Sequence, residues 1–189
     1  IFNYDYTNFQ VIQVIGTQTV TKNAGLASVD GLEIELNHDF NKVFNLKLAY
    51  SYLDAVYDDF VNLNGLNPQL GFQQLKGNYL NHSPKNSLNL GLRYTKEFSK
   101  GSLILQLDSA FRSKTHFTEF NDYAQDSYSV FNLNFLWKNS ADDLSFKFFV
   151  KNLSNEEYLT GFLNSASNGG RFGNYAHPRI FGIEITSKI

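Results

Sequence analysis

Apolar and polar residues alternate along most of this chain. In GLEIELNHDF, Leu32, Ile34 and Leu36 alternate with Glu33 and Glu35. This period of two is typical of a β-strand with one apolar face. Counting the opening stretch at 1–15 and the closing one at 178–189, the pattern recurs about eight times. The other apolar rows are Phe44, Leu46, Leu48, Tyr50 and Tyr52; Leu88, Leu90, Leu92 and Tyr94; Leu103, Leu105, Leu107 and Phe111; Phe131, Leu133, Phe135 and Trp137; Leu144, Phe146, Phe148 and Val150; and Phe181, Ile183, Ile185 and Ile189.

The connections between these rows alternate in length. Short ones are predicted near 38–42, 96–101 and 138–143, and long polar loops near 16–25, 58–84, 114–127 and 160–176. In an up-and-down meander, all short turns then lie at one end of the sheet and all long loops at the other. No segment has a sustained helical period, so the pattern predicts an all-β, antiparallel chain of about eight long strands.

Composition narrows the possible classes of protein and partner. The chain has 189 residues, a formal net charge of −2 and no cysteine. Nothing in this balance favours a nucleic-acid partner, and a disulfide framework is excluded. The absence of methionine and of a signal segment predicts a fragment or processed product. Mean hydropathy is −0.30, yet aromatics reach 16%, which suits a membrane β-barrel because averaging over alternating strands hides a lipid face.

Alternation alone does not say where the apolar face points. A soluble ligand-binding barrel of lipocalin type would turn it inward. Two features favour lipid instead. The polar rows contain small residues such as Ala49, Gly91 and Ala110, and aromatic rings such as Tyr52 and Trp137 lie near strand ends. Rings at both ends of an apolar band are typical of membrane interfaces.

Five segments, in order, resemble motifs of one family. They are YDYTNFQV, KNAGLASVDGLEIEL, GNYLNHSPKNSLNLGLRY, FVKNLSNEEYLTG and HPRIFGIEITSKI. Together they resemble the C-terminal part of the barrel of a TonB-dependent outer-membrane receptor. One departure is Ile189, where the family usually ends in Phe.

The resemblance implies that residues 1–189 are the last eight strands of the family's 22-stranded barrel, without the plug domain. The fold class is then an antiparallel up-and-down transmembrane β-barrel segment in the bacterial outer membrane. The implied function is active uptake of a scarce nutrient, most often a ferric siderophore, with no enzyme activity and no cofactor. The implied partners are outer-membrane lipid, the rest of the barrel and plug, TonB acting through the plug, and a small metal chelate.

Two alternatives stay open at this point. One is a complete eight-stranded outer-membrane barrel with a structural or adhesion role, in which residues 2–14 must pair with residues 179–189. The other is the soluble ligand-binding barrel, which would stay monomeric without detergent.

Two predicted outer loops offer ligand chemistry. Aromatic rings and arginine can hold a planar anionic chelate by stacking, cation–π contact and charge, although loop aromatics also pack among themselves. The candidates are His116, Phe117, Phe120 and Tyr123 in KTHFTEFNDY, and Arg171, Phe172, Tyr175 and Arg179 in GGRFGNYAHPR. We expect Arg171→Ala to weaken ligand binding in the full receptor.

Other polar residues have simpler interpretations. The four histidines are scattered without metal-ligand spacing, and the paired acids at 58–59 and 142–143 suit solvated turns. The charged positions of the polar rows are expected to pair with each other or with the plug: Glu33, Glu35, Lys47, Arg93, Asp108, Arg112, Lys147, Lys151 and Glu184.

Overall fold

The computed structural model describes residues 1–15, 18–165 and 170–188. Apart from a short 3₁₀ turn at Pro68–Leu70, the regular structure in these ranges is β-strand. The strands are β1 (Phe2–Ile15), β2 (Gln18–Asp39), β3 (Phe44–Asp59), β4 (Val61–Leu63), β5 (Phe72–Gln74), β6 (Asn86–Phe98), β7 (Gly101–Arg112), β8 (Thr115–His116), β9 (Ala124–Gln125), β10 (Tyr128–Asn139), β11 (Leu144–Lys151), β12 (Leu159–Ser165), β13 (Gly170–Tyr175) and β14 (Ile180–Ser187).

Eight of these strands form one antiparallel sheet, in the order β1-β2-β3-β6-β7-β10-β11-β14. Each strand pairs with the next long strand along the chain, which confirms the predicted up-and-down meander. The turns at 40–43, 99–100 and 140–143 lie at one end. The longer connections lie at the other end and carry the small hairpins β4–β5, β8–β9 and β12–β13. We call this the loop end.

The prediction of a loop at residues 16–25 is wrong for residues 18–25, which belong to β2, while residues 16–17 lie outside the described residues. β1 and β2 run on as a two-stranded ribbon, with Phe9 opposite Ala24 and Ile15 opposite Gln18. The pairing of β2 with β3 begins only at Leu26, so this ribbon extends past the rest of the sheet. Residues 18–25 are mostly polar in sequence (QTVTKNAG), which is why alternation did not reveal this half of the ribbon. On β1, Phe9 and Val11 pack against the buried core around Tyr57. Part of the predicted loop at 160–176 is likewise strand, in β12 and β13.

The eight-stranded sheet is open. β1 and β14 are its two edges, and among the described residues they do not pair with each other. The alternative of a complete eight-stranded barrel requires that pairing. The open sheet therefore contradicts it.

One face of the sheet carries the apolar rows in register. Leu105 lies opposite Phe135, Phe135 opposite Phe148, and Phe148 opposite Ile183. These side chains are exposed, from 39% at Phe135 to 73% at Ile183. Phe181 and Ile185 share this face, whereas Ile189 lies outside the described residues. The sheet therefore presents a continuous exposed apolar band.

The opposite face is polar along the middle of the sheet. Lys147 and Glu184 lie opposite each other and form an ion pair at 3.4 Å, as expected of charges in the polar rows. A groove of about 770 Å³ runs beside Lys47, Gly91 and Asp108. At the short-turn end, hydrogen bonds from Lys188 and Lys138 lower the pKa of Asp142 to about 2.

The two faces exchange character towards the loop end. On β2, the face that carries Leu32 becomes polar towards the loop end. Its next residue there is Asp30, which lies opposite Asp54 on β3. The opposite face there becomes apolar. It carries a core that the connection after β3 covers. Its buried members are Ala27, Ala55, Tyr57, Phe60, Leu75 and Leu80.

Within the described ranges, no helix has the length and apolar character needed to cross a membrane.

Candidate functional site

Asparagine side chains join two connections at the loop end. Tyr79 N–H donates to Asn121 Oδ1 at 2.8 Å, and Asn121 Nδ2 donates back to the Tyr79 carbonyl at 3.0 Å. Asn78 Nδ2 also donates to the Glu119 carbonyl at 2.9 Å. Asn121 adopts a left-handed φ of 54°, which Asn tolerates better than most residues. The segments 60–85 and 113–127 are therefore held together by paired amide hydrogen bonds.

Glu119 brings a carboxylate into this junction. Asn62, whose side chain is fully buried, donates to Glu119 Oε1 at 3.0 Å. Burial raises the pKa of Glu119, and the neighbouring charge of Asp122 raises it further, while the hydrogen bond from Asn62 opposes the shift. The acid therefore keeps its proton to a higher pH than an exposed glutamate.

The β12–β13 hairpin packs against the same junction through aromatic rings. The Phe162 ring stacks on Phe117 at 5.2 Å and on Tyr123 at 4.6 Å between ring centroids. At the base of the hairpin, Leu159 N–H donates to Gln125 Oε1 at 2.9 Å. Three connections therefore meet in one cluster.

Arg171 on β13 supplies the charge in this cluster. Its guanidinium lies 5.4 Å from the centroid of the Tyr123 ring and forms an ion pair with Asp122. Asp122 also accepts from the Thr118 hydroxyl at 2.6 Å and from Asn64 Nδ2 at 3.4 Å. The Arg171 and Asp122 side chains remain 28% and 30% exposed. We call Asn64, Phe117, Thr118, Asp122, Tyr123, Phe162 and Arg171 the loop cluster.

Comparison with known proteins identifies the fold. The family described as TonB dependent receptor-like, beta-barrel matches residues 1–153. The chain belongs to this family. None of the curated protein sequences compared with it is significantly similar.

Solved structures of siderophore receptors share the fold of this TonB-dependent receptor barrel. The chain is similar to the siderophore receptor PiuA from Acinetobacter baumannii, with 21% identity and a TM-score of 0.75, over 98% of this chain and 25% of that one. It is also similar to the ferric yersiniabactin uptake receptor FyuA from Yersinia pestis, with 17% identity and a TM-score of 0.73, over 89% and 24%. It therefore spans about a quarter of each receptor.

The receptor barrel brings three of the predicted ligand residues together. Phe117, Tyr123 and Arg171 lie in the loop cluster, although the first two come from a different connection than the third. His116 lies beside them and stacks on Tyr79 at 5.7 Å. Its buried Nδ1 has no hydrogen-bond partner among the described residues.

The other four predicted ligand residues lie elsewhere. Phe120 packs against the apolar core at the loop end. Phe172 is 51% exposed and lies opposite Leu163, on the face of the hairpin that points away from Phe162. Tyr175 lines a cleft with Glu156 and Glu157. Arg179 donates to the Leu153 carbonyl at the base of β14. Ligand binding by any of the eight residues stays a prediction.

Sequence reasoning missed Asp122 and Phe162. Asp122 is adjacent to the predicted ligand residue Tyr123 in KTHFTEFNDY, and this neighbour was the sequence signal that could have pointed to it. Its ion-pair partner Arg171 is 49 residues away in the chain. Phe162 lies in a segment that was predicted to be a loop. Its stacking partners depend on how the hairpin packs, which the local pattern does not encode.

A second feature near the cluster is a cleft of about 350 Å³ below the hairpin. Phe117 lines it together with His82, Arg112 and Tyr128, and none of the described residues that line it is an aspartate or glutamate. Within the part of the chain that the structure describes, no group of three or more His, Asp or Glu side chains is arranged to hold a metal ion.

Proposed function

We propose that this chain is part of an outer-membrane receptor that imports a ferric siderophore with energy supplied by TonB. Residues 1–189 would be the C-terminal portion of the receptor barrel, and the plug domain would lie elsewhere in the same receptor. TonB would act through that plug. Family members are transport receptors, and we propose no catalytic role for this chain.

The exposed apolar band supports the membrane part of this proposal. Its rows lie in register across β7, β10, β11 and β14, and the opposite face carries charges such as Lys147 and Glu184. This combination fits lipid on one side and a polar lumen on the other. A soluble barrel with a buried apolar lumen fits less well, because the apolar side chains cover no core in the open sheet.

The loop cluster supports the ligand part. It lies at the end that would face the outside, because the short turns of such barrels face the periplasm. Aromatic rings and a guanidinium are suited to anionic chelates, and the structural relatives PiuA and FyuA are siderophore receptors. The observation that carries the proposal is the family match over residues 1–153.

Uptake of labelled iron tests the proposal. The full receptor would be expressed in a Gram-negative strain that lacks its own siderophore receptors, and ⁵⁵Fe would be supplied as ferric citrate, a ferric tris-catecholate or a neutral ferric trihydroxamate. We expect uptake of at least one chelate, and we expect deletion of TonB to abolish it.

Heat-dependent gel mobility of the outer-membrane fraction would confirm that the receptor is folded. A folded receptor that imports none of the three chelates would refute siderophore transport. Import of haem, cobalamin or a glycan instead would retain the receptor class and replace the ligand.

A further inference from the structure

The structure points to Asp122 as an internal competitor for an anion site at Arg171. We propose that the Asp122 carboxylate occupies the position that a carboxylate of the incoming ligand takes, so that binding exchanges one for the other. This inference rests on the proposed function and names a ligand class for it: a ferric chelate that carries a carboxylate.

Three donors from three separate segments converge on Asp122. They are the Asn64 amide, the Thr118 hydroxyl at 2.6 Å and the Arg171 guanidinium. Their common acceptor is a carboxylate, so the arrangement already fits the shape and charge of that group. Charge-assisted hydrogen bonds to an arginine fork are among the stronger polar contacts that a carboxylate can make.

Arg171 has binding capacity left. Its Nε is buried and has no hydrogen-bond partner among the described residues, although a guanidinium offers five N–H donors. A buried donor without an acceptor costs free energy. If the guanidinium turns when Asp122 leaves, a ligand oxygen that accepts from this N–H would recover that cost, which Asp122 alone does not.

The exchange is accessible and inexpensive. Both side chains are roughly 30% exposed, so an incoming group can reach the pair from solvent. The exchange costs little because the ligand carboxylate would accept the charge-assisted hydrogen bonds that Asp122 gives up. The connection that carries Asp122 also keeps independent anchors, because Asn121 holds Tyr79 by two hydrogen bonds.

Two single variants of the full receptor separate a competitor from a structural ion pair. Asp122→Asn keeps the shape and the Thr118 contact but removes the charge, and Arg171→Ala removes the site. In calorimetric titration with ferric citrate, we expect Asp122→Asn to tighten binding about two- to fivefold and Arg171→Ala to weaken it by at least as much.

A control is Asp54→Asn, which breaks the more exposed Lys85–Asp54 pair at 3.3 Å, between β3 and the connection that follows it. This variant should bind ferric citrate as the wild type does. A neutral ferric trihydroxamate, if bound, should be insensitive to Asp122→Asn.

Several results would overturn the inference. Equal weakening in both variants, with recovery in the charge-swapped pair Asp122→Arg and Arg171→Asp, would make the contact purely structural. Unchanged affinity in Asp122→Asn would exclude competition. A receptor that imports another chelate but does not bind ferric citrate would exclude the carboxylate assignment while leaving siderophore uptake intact. Failure of the proposed function itself would appear as no uptake of any chelate.

Discussion

Phe162 connects two segments that the chain order keeps apart. Its ring contacts Phe117 and Tyr123 from the connection after β7, while the residue itself belongs to β12. Aromatic pairs contribute about 0.5–1.5 kcal/mol each beyond the area they bury. The Phe162 ring therefore attaches the β12–β13 hairpin together with the Leu159–Gln125 hydrogen bond and the Arg171–Asp122 ion pair.

We predict that Phe162→Ala lowers the free energy of opening the β12–β13 hairpin by about 1–3 kcal/mol, because two ring contacts are lost. Amide hydrogen exchange of β12 and β13 in the full receptor would measure this. Phe172→Ala is the control, since Phe172 lies on the same hairpin but is 51% exposed. Equal amide exchange rates in both variants would contradict the role of the Phe162 ring contacts with Phe117 and Tyr123.

For single residues, the sequence predicted which side chains suit an anionic ligand better than it predicted which side chains touch one another. Phe117, Tyr123 and Arg171 could be chosen because rings and a guanidinium suit an anionic chelate. Phe120 could not be told apart from them, because nothing local shows that its ring packs against the core of Ala55 and its neighbours. Pairings such as Arg171 with Asp122 are fixed by tertiary packing.

At the scale of elements, the tight turn between β6 and β7 depends on one glycine. Gly101 adopts a φ of +146°, and a Cβ there would lie 2.0 Å from the Lys138 carbonyl oxygen on β10. The position therefore serves both the turn and the close approach of the neighbouring strand. Only glycine meets both demands without strain.

Gly101→Ala should therefore destabilise the barrel by about 1–3 kcal/mol from backbone strain alone, with the steric clash adding to it. Gly91→Ala is the matched control in β6, since its Cβ would meet the movable Asp108 carboxylate at 3.3 Å and the Lys47 Cβ at an ordinary contact distance of 3.7 Å. We expect that variant to lie within about 1 kcal/mol of wild type. Urea titration of the folded receptor, followed by gel mobility, would compare them, and a stable Gly101→Ala receptor would contradict the prediction.

Strand existence was predictable because a half-apolar face imposes a period of two. The three short turns were predictable for the same reason, since alternation stops there. The β2 half of the ribbon was not predictable, because Gln18 to Ala24 pair only with β1. Backbone hydrogen bonding leaves little trace in the hydrophobic pattern.

At the scale of the whole molecule, the chain carries two apolar surfaces on opposite faces. One is the exposed band that includes Ile34 and Leu36, and the other is the core around Ala55 and Tyr57. Along β2, the apolar side chains change from one face to the other between Leu32 and Gly31. This exchange would mark the outer boundary of the lipid, with solvent-facing residues such as Ser28 and Asp30 beyond it.

We predict that Ile34→Lys destabilises the membrane-inserted receptor by about 2–4 kcal/mol if it lies near the bilayer midplane, and by less nearer the boundary. Ser28→Lys is the control, because Ser28 lies on the same face of the same strand beyond the exchange. It should cost no more than about 1 kcal/mol. Unfolding from lipid vesicles would measure both, and similar losses would place the boundary elsewhere.

The open edges of the sheet set a thermodynamic condition on the molecule in lipid. β14 has eight residues, and about half of them direct N–H and C=O groups away from β11. In hydrocarbon each unpaired backbone group costs several kcal/mol, so a few of them exceed the ~5–15 kcal/mol that stabilises a typical protein. On the other side of the sheet, β1 begins at Phe2, opposite Gly31, so among the described residues β2 has no partner on that side over 32–39 and carries the same cost there. These eight strands can therefore be stable in a bilayer only if further strands form backbone hydrogen bonds with both edges of the sheet.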